Sequence, residues 1–203
     1  MKKSILRKTA AFVLIFILSI TITFPVLAKG ARDTSVEEEL AYDLNSLGLF
    51  KGIGTNTDGT INFDLNRKGT RVEALVMLIR LLGEEDAAKA CSDECIFTDV
   101  PEWAKCYVSY AFAQGYTRGS VYNDSEGVYL FGTGYATAEM YCTFVLRAIG
   151  YSDTNDADFS WNNPFNLARS AGIVTDDVNI KDFRRADIVI VSYNSLSVRV
   201  KDS

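Results

Sequence analysis

A single pattern, run through three times, constrains this chain more than anything else in it. An amphipathic segment ends in glycine at Leu40-Ala41-Tyr42-Asp43-Leu44-Asn45-Ser46-Leu47-Gly48, at Val108-Ser109-Tyr110-Ala111-Phe112-Ala113-Gln114-Gly115 and at Phe165-Asn166-Leu167-Ala168-Arg169-Ser170-Ala171-Gly172. Each is followed by a short apolar-then-polar stretch: Leu49-Phe50-Lys51-Gly52, Tyr116-Thr117-Arg118-Gly119 and Ile173-Val174-Thr175-Asp176. A loop with glycine and asparagine or aspartate comes next, and then a second, more apolar helix beginning at Thr70, Ala136 or Arg184. Internal periodicity of this kind marks a repeat architecture. The fold expected is mostly α: three helix-loop-helix repeats, with short extended segments in the loops.

Local chemistry sets the expected boundaries. Ser35-Val36-Glu37-Glu38 has the form of a capping box, with Val36, Leu40, Leu44 and Leu47 as one apolar stripe and Gly48 as the left-handed stop. The second unit opens on Asp99-Val100-Pro101-Glu102, a cap with proline in the first turn, and closes on Gly115. In the third, Asn163 caps, Pro164 takes the first helical position and Gly172 stops the helix. Thr70 and Glu73 form a capping box for the second helix of the first unit. Leu75, Val76, Met77, Leu78, Ile79, Leu81 and Leu82 are apolar nearly all round, which predicts a buried helix, and Met140, Tyr141, Phe144, Val145, Leu146 and Ile149 repeat the idea. Ile188-Val189-Ile190-Val191 has the propensity of a strand, yet its place in the repeat assigns it to a helix.

The first 28 residues read as a secretory signal peptide. Lys2, Lys3, Arg7 and Lys8 form a positive front; an uncharged run from Thr9 to Ala28 follows, broken by Pro25 and ending in Val26-Leu27-Ala28. The run is also long enough to span a bilayer as an uncleaved anchor, but Pro25 and the Val-x-Ala ending favour cleavage before Lys29. The membrane is then met only transiently. The units expected are residues 1–28, then repeats over 29–90, 91–152 and a shortened 153–203. Loss of four basic residues takes the net charge from −5 to −9. An acidic protein binds phosphate-rich polymers poorly through its overall field, so nucleic acid is excluded and any anionic ligand needs a local cationic pocket. Histidine is absent, which removes Ser-His-Asp and Cys-His nucleophile systems and every histidine-containing metal site.

Phe97-Thr98-Asp99-Val100-Pro101-Glu102-Trp103-Ala104, the glycine-closed helix after it, and Thr70-Arg71-Val72-Glu73 with its counterparts resemble the S-layer homology repeat. That family's pattern runs Phe-x-Asp-Val, a tryptophan, a Gly-Ile-Ile-x-Gly turn, a Gly-Thr-Phe loop and a Thr-Arg-Ala-Glu helix start. The resemblance covers most of the chain after the signal segment. It implies a pseudo-threefold bundle, located at the cell wall or cell surface, that attaches non-covalently to an acidic, often pyruvylated, cell-wall polysaccharide held in grooves between repeats. No cofactor, no metal and no catalysis are expected. The arginine of the helix start is a usual binding residue, and Arg71 and Arg185 match it. Ala136-Thr137-Ala138-Glu139 puts Thr137 in that place in the second unit. Asp99 and Trp103 match the Phe-x-Asp-Val segment before the second unit; before the third it becomes Phe159-Ser160-Trp161-Asn162, leaving Trp161 as a candidate. With only some positions matched, one or two competent grooves are expected rather than three.

Each candidate has a plainer alternative. A cation in a helix's first turn opposes the dipole, so Arg71 and Arg185 break a local rule, although a surface ion pair would explain them too. Trp103 shares a helical face with Tyr107, Tyr110 and Gln114, which argues for the core as much as for a sugar platform. Asp153-Thr154-Asn155-Asp156-Ala157-Asp158 looks like a calcium loop, but Ala157 stands at a ligand position and the required glycine is missing. Cys91, Cys95, Cys106 and Cys142 have no zinc-ribbon spacing; in an exported chain one disulfide is expected among the first three, with Cys142 buried and reduced. Two other functions fit the repeats less well: a structural or decayed protein that contacts other surface proteins, and a wall glycosidase, for which no two acids are paired in a rigid setting.

Overall fold

Gly48 shows how the repeat is terminated. In the computed structural model, which describes residues 32–123 and 125–201, helix α1 runs over Ser35–Ser46. Gly48 then adopts φ +76°, so the Leu49 N–H reaches back to the Leu44 carbonyl at 2.9 Å. A side chain at that φ would crowd its own carbonyl, which is why glycine stands there. The same closure follows α4 (Lys105–Ala113), where Tyr116 N–H bonds Ala111 O at 2.9 Å, and α6 (Phe165–Ser170), where Ile173 N–H bonds Ala168 O at 2.8 Å.

Between the first and second helices of the first two repeats lie antiparallel hairpins: β1 (Gly54–Thr55) with β2 (Ile61–Asn62), and β3 (Val121–Asn123) with β4 (Val128–Leu130). In the third repeat no strand is found among the described residues between α6 and the next helix. The second helices are α2 (Arg71–Leu81), α5 (Ala138–Ala148) and α7 (Arg185–Ser195). A short helix α3 (Glu85–Lys89) follows α2 and packs on α4. None of the described helices is long and apolar enough to cross a membrane.

The three second helices touch one another pairwise and form the centre. Each carries a first helix: α4 packs on α2, α6 on α5, and α1 returns to pack on α7. Central position explains why α7 is helical despite its branched residues. Ile188, Val189 and Val191 are fully buried and Ile190 nearly so, and packing on all sides outweighs an intrinsic preference of a few tenths of a kcal/mol per residue. The capping box at α2 is present, with Glu73 N–H on Thr70 Oγ1 and Thr70 N–H on Glu73 Oε2 at 2.7 Å.

Several expected boundaries are corrected. Thr34, not Ser35, precedes α1, and no side chain caps it; instead Asp33 accepts the Ser35 N–H at 3.0 Å. The buried stripe of α1 is Glu37, Ala41 and Leu44, leaving Val36 and Leu47 about two-thirds exposed. The stripe shifts because Glu37 turns inward to Arg32. That arginine also donates to Asp187 at 2.7 Å, whose carboxylate is fully buried and accepts the N–H groups of Asn179 and Arg184 as well. Asp99 and Asn163 cap no helix: Pro101 precedes a 3-10 turn at Glu102–Ala104, and Pro164 directly precedes α6. All four cysteines are free thiols, so the expected disulfide is not formed; Cys142 is buried, and burial pushes its thiol up to about 12. The signal segment lies outside the described residues.

Candidate binding groove

Arg71 is the first residue of α2, and its N–H bonds the Gly134 carbonyl of the second repeat at 2.8 Å. Its side chain is thereby directed into that repeat. Arg71 is only 9 % exposed; its guanidinium donates from Nη2 to Gly119 O at 3.0 Å and lies 4.9 Å from the Phe131 ring centre and 5.5 Å from that of Phe144. Nε is buried without an acceptor, and Nη1 has no hydrogen-bond acceptor among the described residues. Burial, with Arg147 adding to it and Asp99 opposing, pushes this arginine down to about 10, so it remains charged at neutral pH. Gly119 must be glycine: a Cβ there would sit 2.5 Å from the Phe97 ring and 2.8 Å from the Leu130 carbonyl.

Asp99 acts one layer beneath. Its two oxygens accept the N–H groups of Phe131 and Gly132, each at 2.8 Å, and so fix the segment that carries Phe131 under the guanidinium. Facing Arg71 across the groove floor is a second cationic group from α5. Arg147 grips Asp153 with Nε at 3.0 Å and Nη2 at 2.6 Å, a bidentate fork, and Arg118 adds a contact to the same carboxylate at 3.2 Å. Burial raises the Asp153 pKa, but the two arginines outweigh it and hold the carboxyl below its usual range. Arg118 is half exposed and also donates to Thr154 at 2.7 Å. Trp161 and Tyr122 complete an open groove of about 500 Å³, their rings 61 % and 51 % exposed. Thr143 holds the Trp161 carbonyl at 3.1 Å. Three guanidiniums against one carboxylate make a local positive site on an acidic chain.

Of the residues singled out from the sequence, the structure brings Arg71 and Trp161 into this groove, with Asp99 supporting it. Trp103 lies on the 3-10 turn and is 57 % exposed, so it is not a core residue, and it does not line the groove. Arg185 begins α7 as Arg71 begins α2, and inserts into the first repeat with Nε on Phe63 O at 2.9 Å and its guanidinium 5.4 Å from the Phe50 ring centre. It is 2 % exposed, Nη2 has no acceptor, and burial together with Arg67 pushes it down to about 10. In the second repeat Thr137 is the helix cap, accepting Met140 N–H at 3.3 Å. The residue equivalent to Arg71 is therefore Ala138, one place later than the sequence pattern indicates.

Arg118, Arg147, Asp153 and Tyr122 were not foreseen, yet two of them carry a readable signal. Three residues after each helix-ending glycine stand Lys51, Arg118 and Thr175; two before the residue capping each second helix stand Arg80, Arg147 and Asn194. The first repeat accordingly rebuilds the same cluster, with Lys51 and Arg80 both on Glu85. There the carboxylate is saturated, because Lys89 and the Tyr107 hydroxyl join them at 3.3 and 3.1 Å. In the third repeat threonine and asparagine replace both cations.

No family model matches the chain. It is similar to a cell surface protein of Thermoanaerobacter kivui, at 28 % identity over 93 % of this chain. The match covers 26 % of that relative, so the chain spans about a quarter of its length. The resemblance to the S-layer homology repeat thus rests on the quoted motifs themselves.

Proposed function

We propose that this chain is a non-catalytic cell-surface protein, a degenerate three-repeat module of the S-layer homology type with a pseudo-threefold bundle, and that it attaches non-covalently to the cell wall. The ligand is an acidic secondary wall polysaccharide, taken up in the groove of Arg71, Arg118 and Trp161. One observation carries this reading: three guanidiniums converge on a single open groove with one internal carboxylate, on a chain whose net charge is −5. Arg147 is engaged by Asp153 through both ends of its fork, which leaves Arg71 Nη1 and the exposed edge of Arg118 to receive an anion. Exposed Trp161 offers the flat apolar face that a pyranose ring packs against. The relative's being a cell surface protein and the order of helix packing around the three central helices support the same reading.

Sedimentation with purified walls tests it. Wild type is expected to sediment with intact walls and to remain in solution once the acidic secondary polymer has been stripped. A charge-assisted hydrogen bond is worth about 1.5–3 kcal/mol, so Arg118→Ala weakens retention by roughly ten- to a hundredfold. Arg118 is half exposed, so its loss leaves the fold intact. Equal retention on stripped walls, or unchanged retention of Arg118→Ala, would sink the proposal.

A further inference from the structure

The second hairpin carries something that the fold does not need. Tyr122 packs with its ring centre 4.9 Å from Tyr129, its cross-strand partner, and 5.8 Å from Phe112 on α4. The first hairpin is built in the same register without any of these rings: Thr55 pairs with Ile61 where Tyr122 pairs with Tyr129, and Asn45 stands on α1 where Phe112 stands on α4. A three-ring ladder is therefore surplus to hairpin formation. It also ends in solvent: Tyr122 is 51 % exposed, and it lines the cationic groove beside Arg118 and Ser120. A ring held on two sides by other rings has little conformational freedom left to lose on binding, which makes it a preorganised apolar contact.

We infer that Tyr122, buttressed by Tyr129 and Phe112, is a subsite for an uncharged sugar that neighbours the acidic one in the polymer. The inference rests on the acidic-glycan reading above and extends it: the smallest unit recognised in full is a disaccharide, an acidic residue at Arg71 and Arg118 with an uncharged pyranose face against Tyr122. Uncharged is the required class, because the ladder contributes no cation and no carboxylate to the groove.

The test is competition. Monosaccharide and disaccharide fractions from partial acid hydrolysis of purified wall polymer, each containing the acidic sugar, compete with wall fragments for wild type and for Tyr122→Thr. Threonine is the residue that the first hairpin uses at the equivalent position, so the variant has a precedent in this same chain. In wild type the disaccharide is expected to inhibit about three- to tenfold better than the monosaccharide, the range of one aromatic contact. Tyr122→Thr removes that advantage while the monosaccharide inhibits as before, and Tyr122→Phe keeps it. The inference is overturned if the disaccharide has no advantage in wild type, or if Tyr122→Thr leaves the advantage intact or weakens both fractions equally. Failure of wild type to bind walls at all would instead overturn the function proposed above.

Discussion

Arg185→Met is expected to leave the protein as stable as wild type or to make it more stable, while Arg185→Ala destabilises it. Arg185 is 2 % exposed, makes one good hydrogen bond, to Phe63 O at 2.9 Å, and has no ion-paired carboxylate among the described residues. Burial pushes its pKa from 12.5 to about 10. A difference of that size corresponds to about 3 kcal/mol by which the fold disfavours the charged form. Methionine removes the charge and keeps most of the stem. What it gives up is the bond to Phe63 O, whose carbonyl then lacks a donor at a cost of about 1–3 kcal/mol. The balance lies between zero and about 2 kcal/mol in favour of methionine, in keeping with buried charges elsewhere that are replaced by apolar residues of similar volume. Alanine also removes the charge but leaves a cavity under Phe50, and large-to-alanine truncations of buried side chains cost about 2–5 kcal/mol. Urea denaturation followed by circular dichroism reads both variants. For a domain of this size each kcal/mol moves the thermal midpoint by about 2–4 °C, so the two midpoints should differ by several degrees with methionine the higher. Should methionine cost as much as alanine, the reasoning that treats Arg185 as an unpaired buried charge is wrong.

Arg32→Met should cost about 3–5 kcal/mol, because it strips the cation from the fully buried Asp187, and combination with Asp187→Asn should cost less than the sum of the two single changes in a double-mutant cycle. Glu73 and Glu85 are each pulled up by burial but held at about 2 by their hydrogen-bonded cations, Arg67 for the first and Lys51 and Arg80 for the second. Their folded pKa values lie below the unfolded ones, so the stability they contribute is complete above pH ~4.5 and is lost as pH falls towards 2; thermal midpoints measured from pH 7 to pH 2 should stay level and then drop below about 4. An alkylating reagent applied to native protein at pH 8 should modify Cys91, Cys95 and Cys106 before Cys142, whose buried thiol sits at about 12 and reacts only after unfolding; early labelling of Cys142 would contradict its placement.

Much of the fold was legible because its signals are local. Glycines 48, 115 and 172 stop their helices wherever the rest of the chain goes, since a left-handed residue is required by the backbone alone. The Thr70–Glu73 box is equally self-contained. The errors fall where a distant partner decides. Ser35 and Glu38 satisfy the capping pattern, but Arg32, itself held by Asp187 155 residues along the chain, draws Glu37 inward, rotates the buried face of α1 and moves the cap. Asp99 sits before a helix as a cap would, yet two N–H groups more than thirty residues away take both its oxygens. The groove was half legible for the same reason. Arg71 stood out because it opposes the helix dipole, whereas Arg118 and Arg147 sit where cations are unremarkable, and only the carboxylate they share reveals them. Arg185 passed the same sequence test as Arg71, and its burial could be read only from the packing around Phe50 and Phe63.

Packing of α1 on α7 places the first described element against the last described helix, across roughly 140 residues of intervening sequence. An open array of repeats can add units one at a time, each resting on the one already made. Here the chain cannot proceed in that order. Ala41 and Leu44, fully buried in the finished protein, lie on the helix that packs on α7 and are not covered until α7 has been produced. Until α7 is made that apolar face is open to water and to other chains, and the pairing that covers it spans roughly 140 residues, the kind that forms late. Removing α7, Arg185–Ser195, would therefore uncover α1 as well, with the buried faces of Ala41 and Leu44.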